Sequence, residues 1–298
     1  MAGIPLEDNF TDILGKAQRG LGFSDTELAR RAGVSAAQLS AAKTGGNPSL
    51  DPLHGKGTID DTVIRQLATA LNLGADTLVA SAKQAWRPAD PGPIDGLACF
   101  NTPFSDMTVN AYLVWDPKTR RAAAFDTGAD CDPMLELARD RKLKIELILL
   151  THTHSDHVYE LDRLKEATGA LAYVSERETL SGAAPFKDGH TFALGGLKIE
   201  TRRTSGHARG GTTFVVTGLP PVPSAGGVRG GSLAIVGDAL FAGSMGGGLV
   251  DYDEALRTNR ESIFTLPDST ILCPGHGPLT TVGEEKQHNP FFPEFQRQ

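Results

Sequence analysis

The sequence has few cysteines, no excess of positive charge and no long apolar run, and each shortage excludes a class of protein. Its three cysteines lie far apart, without CxxC or disulfide-framework spacing: Cys99, Cys131 and Cys273. No run approaches about 18 apolar residues, so we expect no membrane span. The first residues lack the basic start and apolar stretch of a secretory signal, which predicts a cytoplasmic protein. The net charge of −7 disfavours general binding to nucleic acid or anionic membrane.

The composition divides the chain into a helical part, a proline-rich spacer and a mixed part. In residues 1–85 apolar residues recur at helical intervals, and Ser24 and Glu27 have the spacing of a capping box. Three prolines within residues 86–93 end this periodicity. We therefore predict three segments: a helical domain over 1–85, a linker over 86–96 and a second domain over 97–298.

Beyond the linker, short apolar segments alternate with helical segments. The predicted strands are residues 109–115, 122–125, 145–150, 170–174, 212–216 and 233–236, and the helical patterns lie near 133–141, 159–168 and 253–266. Alternation of this kind predicts a layered core of sheets and helices.

A cluster of metal-binding side chains follows the apolar segment that ends at Leu150. His152 and His154 would point to the same side of an extended chain, because side chains alternate along a strand. Asp156 and His157 follow where the chain must turn toward the next helix. Imidazole and carboxylate ligands suit zinc, iron or manganese, and the absence of cysteine from the cluster disfavours a thiolate site.

Three further candidates each lie just past a predicted strand. His207 precedes a Gly-Gly pair, Asp238 ends the strand at 233–236, and His276 lies in a Pro-Gly-His-Gly turn. Loops from one sheet edge can build a common site, so we expect these side chains to join the first cluster. Five of the eight histidines then belong to one set.

The order of these motifs resembles the metallo-β-lactamase superfamily. The motifs are HxHxDH at 152–157, GH at 206–207, GDxLF at 237–241 and PGHG at 274–277. GDALFAGS at 237–244 and the tail PGHGPLTTVGEEKQHNPFF are similar to its glyoxalase II-like branch. The resemblance covers roughly residues 97–290. It implies an αββα sandwich with metals at one sheet edge. Together with the small all-α domain predicted over residues 1–85, the expected fold class is α+β.

The resemblance also implies a role for each candidate ligand. One metal would be held by His152, His154 and His207, and the other by Asp156, His157 and His276, with Asp238 bridging. The implied cofactor is a pair of divalent ions, zinc by preference, with iron or manganese as alternatives.

Two metals sharing Asp238 would lower the pKa of a bridging water and polarise a substrate carbonyl. Asp156 and Asp238 are thus the predicted catalytic carboxylates of a metal-dependent hydrolase. The expected substrate is a small acyl compound, a thioester or activated ester, similar to the substrates of hydroxyacylglutathione hydrolases. Four residues beside motif loops are candidate substrate contacts: Tyr112, Arg209, Met245 and Tyr252. The alternative within the fold is a persulfide dioxygenase-like enzyme with a single iron on His152, His207 and Asp238.

Residues 24–43 resemble a helix-turn-helix of the Cro/repressor type, with Gly33 at the turn. In DNA-binding members the second helix enters the major groove, and here it offers Gln38, Ser40 and Lys43 to the bases. Residues 1–85 carry eight Lys and Arg against nine Asp and Glu. Because phosphate contacts supply most non-specific affinity, this balance disfavours nucleic acid as a partner.

Two functions therefore compete for the helical domain. The first is a DNA-binding regulator in which the hydrolase domain senses a metabolite. The second is an enzyme whose helical domain serves dimerisation, giving a homodimer, or covers the substrate. On charge, we favour the second.

Overall fold

Five helices form the N-terminal part of the computed structural model, which describes residues 3–45, 59–220, 222–224, 227–229 and 231–296. They are α1 (Phe10–Gly20), α2 (Asp25–Ala32), α3 (Ala36–Lys43), α4 (Asp61–Ala70) and α5 (Ala75–Ala82). Ser24 caps α2 by accepting from the Glu27 amide at 3.2 Å, and Gly33 ends α2 in the left-handed region at φ 68°. The helix predicted to begin after Ser24 is confirmed.

The first sheet changes from antiparallel to parallel pairing. Its six strands, in spatial order, are β1 (Leu97–Phe104), β2 (Met107–Trp115), β3 (Arg121–Phe125), β4 (Lys144–Leu149), β5 (Leu171–Ser175) and β6 (Ala184–Phe186). The first three strands pair antiparallel, and β3 to β6 pair parallel. Parallel neighbours need a crossover. Helix α6 (Asp132–Asp140) connects β3 to β4, α7 (Ser155–Val158) and α8 (Leu161–Thr168) connect β4 to β5, and a loop connects β5 to β6.

The second sheet is mostly antiparallel. Its strands are β7 (Thr191–Leu194), β8 (Leu197–Arg203), β9 (Thr212–Thr217), β12 (Ser232–Gly237), β13 (Ile271–Pro274) and β14 (Thr280–Thr281). The spatial order is β14-β13-β12-β9-β8-β7, with β12 and β13 parallel, so these two strands end at the same edge. The short strands β10 (Val222–Ser224) and β11 (Gly227–Arg229) pair with each other. Helices α9 (Tyr252–Ser262) and α10 (Val282–His288) complete this half.

The two sheets pack face to face, and helices cover both outer faces. Between the sheets, Tyr112 and Phe125 of the first sheet share one apolar cluster with Phe214 and Ile235 of the second. Helices α6 and α8 cover the outside of the first sheet through a second cluster. Helix α9 covers the outside of the second sheet, where Ala255 belongs to the same cluster as β9 and β12 residues. The predicted α+β fold class, an αββα sandwich preceded by helices, is confirmed.

The N-terminal helices share the apolar cluster on the outer face of the second sheet. Leu14 and Ala17 of α1 belong to one continuous set with Val236 and Met245. The fit is close, since a Cβ at Gly20 would lie 2.3 Å from the ring of Tyr252. The division at residues 86–96 stays a prediction, but the apolar core crosses it.

None of the helices in the described ranges has the length and apolar character that crossing a bilayer requires.

Candidate metal centre

The two sheets deliver all seven predicted ligands to one edge. His152 and His154 follow β4, Asp156 and His157 lie in α7, and single ligands follow β8, β12 and β13: His207, Asp238 and His276. Close approach of these loops requires glycine at two positions. A Cβ at Gly237 would lie 2.5 Å from Thr151 Oγ1, and one at Gly275 would lie 2.2 Å from Asp238 Oδ1.

The first group of ligand atoms is formed by three histidines and one carboxylate. His154 Nδ1 lies 3.0 Å from His152 Nε2 and 3.0 Å from His207 Nε2. His207 Nε2 lies 3.4 Å from Asp238 Oδ2. The ligand atoms of this group all lie within 4.8 Å of one another, a spacing that one metal ion could span.

The second group adjoins the first through the same carboxylate. Asp156 Oδ2 lies 3.4 Å from His157 Nε2 and 3.3 Å from His276 Nε2. Asp238 Oδ1 lies 3.3 Å from His157 Nε2, and Asp238 Oδ2 lies 3.4 Å from His276 Nε2. Asp238 therefore stands between the two groups, in contact with both.

Outer hydrogen bonds orient His157 and His152. The Nδ1 atom of His157 lies 2.8 Å from Asp126 Oδ2, and His152 Nδ1 lies 3.0 Å from Thr151 Oγ1. Asp126 also accepts from the amide of Thr151 at 2.7 Å and from its hydroxyl at 2.8 Å. With Nδ1 engaged, the Nε2 atom of each ring faces the centre, as metal-binding histidines require.

Backbone carbonyls orient two more rings in the same way. His207 Nδ1 lies 2.9 Å from Gly247 O, and His276 Nδ1 lies 2.7 Å from Thr108 O. A carbonyl only accepts, so Nδ1 donates in both rings, and Nε2 is the nitrogen that faces the centre.

The charges and the buried polar atoms of the site favour a bound cation. Although burial favours its neutral form, the Asp238 and Asp126 carboxylates raise the pKa of His157 to about 10. Against burial again, Asp238 raises the pKa of His276 to about 11. His157 Nε2 and Asp238 Oδ1 are buried without a hydrogen-bond partner. Metal ions between these atoms would satisfy them, so the residues fit a metal pair.

His152 and His207 differ from the other two rings. Burial lowers the pKa of both, so they are neutral, which is the form that binds metal. Asp238 stays ionised: burial alone would raise its pKa, but His157 and His276 hold it well below its usual range.

Sequence reasoning missed Asp126, Asn110 and Glu178, which support the site. Asp126 directly follows the apolar strand β3, and that position after a strand was the signal that identified the other ligands. Buried Asn110 donates to Pro274 O at 3.0 Å and to Gly277 O at 2.8 Å, which fixes the turn around His276. Glu178 accepts from the Thr153 hydroxyl and from the Gly210 amide, tying two ligand-bearing loops together.

Two of the four predicted substrate contacts are buried in the core, and contact with substrate stays a prediction for both. Tyr112 is buried, and its hydroxyl donates to Pro274 O at 2.6 Å, so it supports the His276 turn from beneath. Met245 is fully buried in the core shared with α1. Arg209 is exposed beside His207, and Tyr252 is buried against α1; a substrate contact for either stays a prediction.

The residues predicted to contact DNA lie on α3. Gln38 and Ser40 are exposed, and the Gln38 side chain accepts from the Ser35 amide at 2.8 Å as part of a capping box. Lys43 donates to Asp25 at 2.7 Å. Contact of these residues with DNA stays a prediction.

Comparisons with known proteins agree with this geometry. The family model described as the Metallo-beta-lactamase superfamily matches residues 105–276. A probable metallo-hydrolase of Streptococcus pyogenes serotype M6 is 31% identical over 209 residues, 61% of this chain and 84% of that protein. The hydroxyacylglutathione hydrolase GloC of Haemophilus influenzae is 27% identical over 214 residues, 63% and 95% of the two chains. The crystal structure of TTHA1623 in a di-iron-bound form has a TM-score of 0.51 at 27% identity, covering 64% and 99%.

Proposed function

From the premise that the chain belongs to the metallo-beta-lactamase superfamily and is a metallo-hydrolase, we propose that it hydrolyses thioesters or activated esters, as in the glyoxalase II-like branch. The observation that carries the proposal is the position of Asp238. One carboxylate contacts His207 of the first ligand group and His157 and His276 of the second, at 3.3–3.4 Å. A carboxylate so placed suits a bridging ligand between two ions.

The ligand sets follow from the two groups. His152, His154 and His207 would hold one ion, and Asp156, His157 and His276 the other, with Asp238 shared. When bound, divalent ions supply Lewis acidity, which activates water and stabilises negative charge on a carbonyl oxygen. The protein keeps the imidazoles in one tautomer through their outer hydrogen bonds. Asp156, between His157 and His276, orients the attacking water.

A thioester suits this site because its leaving group is easily expelled. A thiol has an ordinary pKa of about 8.5, so its thiolate leaves without a dedicated acid, whereas an amine or alkoxide leaving group must be protonated. The name of the Haemophilus influenzae relative, a hydroxyacylglutathione hydrolase, supports the same substrate class.

For the metal we propose zinc, because imidazole and carboxylate ligands without thiolates suit it. Iron is the alternative, supported by the di-iron form of the similar structure. A single iron with oxygen uptake would instead indicate a persulfide dioxygenase-like enzyme. We retain hydrolysis because Asp156, His157 and His276 offer a second set of ligands.

The test combines metal content with a substrate screen. Protein purified without added metal is analysed for metal per chain and then assayed, in that defined form, with hydroxyacyl thioesters of glutathione, simple acyl thioesters and lactones. We expect two divalent ions per chain and fastest turnover of a thioester. One iron per chain with oxygen consumption, or no thioester hydrolysis by the two-metal form, would refute the proposal.

For the N-terminal helices we propose a role in the enzyme, as a dimerisation or substrate-covering module of a cytoplasmic protein. The pairing of their cations supports this. Glu27 accepts from Arg30 at 2.9 Å and from Arg31 at 2.5 Å, and Asp25 accepts from Lys43 at 2.7 Å. Phosphate would have to displace these carboxylates. Salt-dependent DNA binding, lost when the three cations are replaced, would overturn the proposal.

A further inference from the structure

Helix α1 and the segment before it hold the loop that begins at the bridging carboxylate. We call this loop, residues 238–247, the Asp238 loop. Lys16 Nζ donates to Met245 O at 2.9 Å and to Asp8 Oδ2 at 2.5 Å. The same Asp8 oxygen accepts from Ser244 Oγ at 2.6 Å. Two charged side chains of the helical part thus bond to neighbouring residues of the loop.

The pair is shielded from water. The side chain of Lys16 is 15% exposed and that of Asp8 is 6% exposed. Lys16 Nζ also lies 4.8 Å from the ring centroid of Phe241, and that ring packs edge-on against His276 at 5.6 Å. Burial strengthens such contacts, and it makes the loss of one partner costly.

The Asp238 loop carries parts of the metal centre at both ends. Asp238 is the first residue of the loop, and Gly247, its last residue, accepts from His207 Nδ1 through its carbonyl oxygen. The loop folds back on itself tightly, since a Cβ at Gly246 would lie 1.8 Å from Asp238 O and 2.9 Å from His207 Nδ1. A shift at Met245 would therefore move the acceptor of His207 relative to Asp238.

The middle of the loop has a second support that is independent of α1. Glu285 of α10 accepts from the Gly243 amide at 3.0 Å, and Asn289 donates to Ser244 O at 2.7 Å. These bonds hold residues 243–244. The contact at Met245 O, nearest to Gly246 and Gly247, comes from Lys16.

We propose that Lys16 and Asp8 are positioning residues for the metal centre, which set the geometry of Asp238 and His207 through the Asp238 loop. The helical part then contributes to metal affinity without supplying a ligand. This inference rests on the metal site proposed above. It predicts that changes in α1 alter the metal site by an amount that loss of fold stability does not explain.

The test compares variants of the full chain. Lys16→Met keeps the apolar stem and removes the donor, and Lys16→Arg keeps a charged donor. Leu67→Ala is the matched control: Leu67 is fully buried in α4, so this substitution destabilises the helical part without removing a hydrogen bond to the loop. Apparent metal affinity is measured by competition with a chromophoric chelator, and coordination by the visible spectrum of the cobalt-substituted protein.

We expect Lys16→Met to weaken metal affinity by about 10-fold, the low end of the range for residues that support metal ligands, and to change the cobalt spectrum. Lys16→Arg should recover part of both. Leu67→Ala should lower the unfolding temperature and leave affinity and spectrum unchanged. Wild-type values for Lys16→Met, or an equal loss in Leu67→Ala, would overturn the inference. Wild-type protein that binds no metal would instead refute the proposed function, and this inference with it.

Discussion

Charged groups have opposite surroundings in two regions of the molecule. One region is the sheet edge with the predicted metal ligands, and the other is formed by the exposed faces of α2 and α3. At the sheet edge, His157 Nε2 and Asp238 Oδ1 are buried without a hydrogen-bond partner. On the helices, Arg30 and Arg31 share Glu27. Buried polar atoms without a hydrogen bond indicate a place for a ligand, whereas exposed cations that are hydrogen-bonded to neighbouring carboxylates are already neutralised. The same comparison explains why the metal site supports a function more strongly than the helix-turn-helix resemblance does.

The largest effect should come from removing the charge shared by both ligand groups. Asp238→Asn leaves the shape almost unchanged but weakens both metal sites, so we expect metal content to fall below one ion per chain and kcat/KM to fall by about 100-fold or more. Metal analysis and thioester hydrolysis measure the two. The control is Asp188→Asn, a surface partner of Arg177, which should match the wild type. An Asp238→Asn variant with two metals and full activity would contradict the comparison.

An intermediate effect should follow from changing a carboxylate that orients a ligand without binding metal. Asp126→Asn weakens the acceptor of His157 Nδ1, and we expect metal affinity to fall about 10- to 100-fold, the range typical of such partners. Chelator competition on the purified variant measures the change. Unchanged affinity would show that the bond between Asp126 and His157 Nδ1 does not affect how His157 Nε2 binds metal.

A smaller effect concerns Glu285, a buried carboxyl that supports the Asp238 loop. Burial raises its pKa to about 8, against 4.5 for the ordinary side chain. The folded state therefore keeps a proton that the unfolded state loses, so this group lowers the free energy of unfolding as pH rises from about 4.5 to 8. Glu285→Gln should remove that part of the slope, at most about 1.4 kcal/mol per pH unit.

Chemical denaturation of the wild type and the Glu285→Gln variant at several pH values between 5 and 8 measures this slope. Contributions from the other groups cancel in the difference between the two proteins. Identical pH profiles would show that Glu285 is ionised in the folded state.

The smallest effect should come from the helical cations. Replacing Arg30, Arg31 and Lys43 together by Gln removes exposed ion pairs, which contribute little to stability because water and salt screen them. We expect thioester hydrolysis within about twofold of the wild type and little change in stability. Activity that responds to a DNA duplex in the wild type but not in the variant would reverse our ranking of the two functions.

The inner strands are apolar and bounded by turns, so the sequence pattern predicted a layered core of sheets and helices, whereas the αββα sandwich followed from the resemblance carried by the ligand motifs. The pattern missed β1, where Asn101 and Pro103 interrupt the alternation and pairing with β2 defines the strand. It also missed α10, a polar helix in which only Val282 and Glu285 are buried, so no apolar stripe marks it. Local pattern cannot show elements whose stability comes from a neighbour.

The metal ligands were predictable because each lies just past a strand, and that position along the chain places it at the sheet edge. Residues just past parallel or adjacent strands meet at one edge, which explains why His152, Asp238 and His276 lie together. Proximity along the chain did not show that Tyr112 and Met245 are buried, because whether a side chain faces the opening or the core depends on sheet register and on packing against α1. The Lys16 contact joins residues 229 positions apart, and no local pattern predicts it.

Crystals grown with zinc and measured at the zinc absorption edge would test the central claim most directly. We expect two anomalous peaks, one on each side of Asp238, at about 2.0–2.2 Å from their ligands. One peak should lie within bonding distance of His152, His154 and His207, and the other within bonding distance of Asp156, His157 and His276. A single peak, or peaks away from these seven side chains, would contradict the claim.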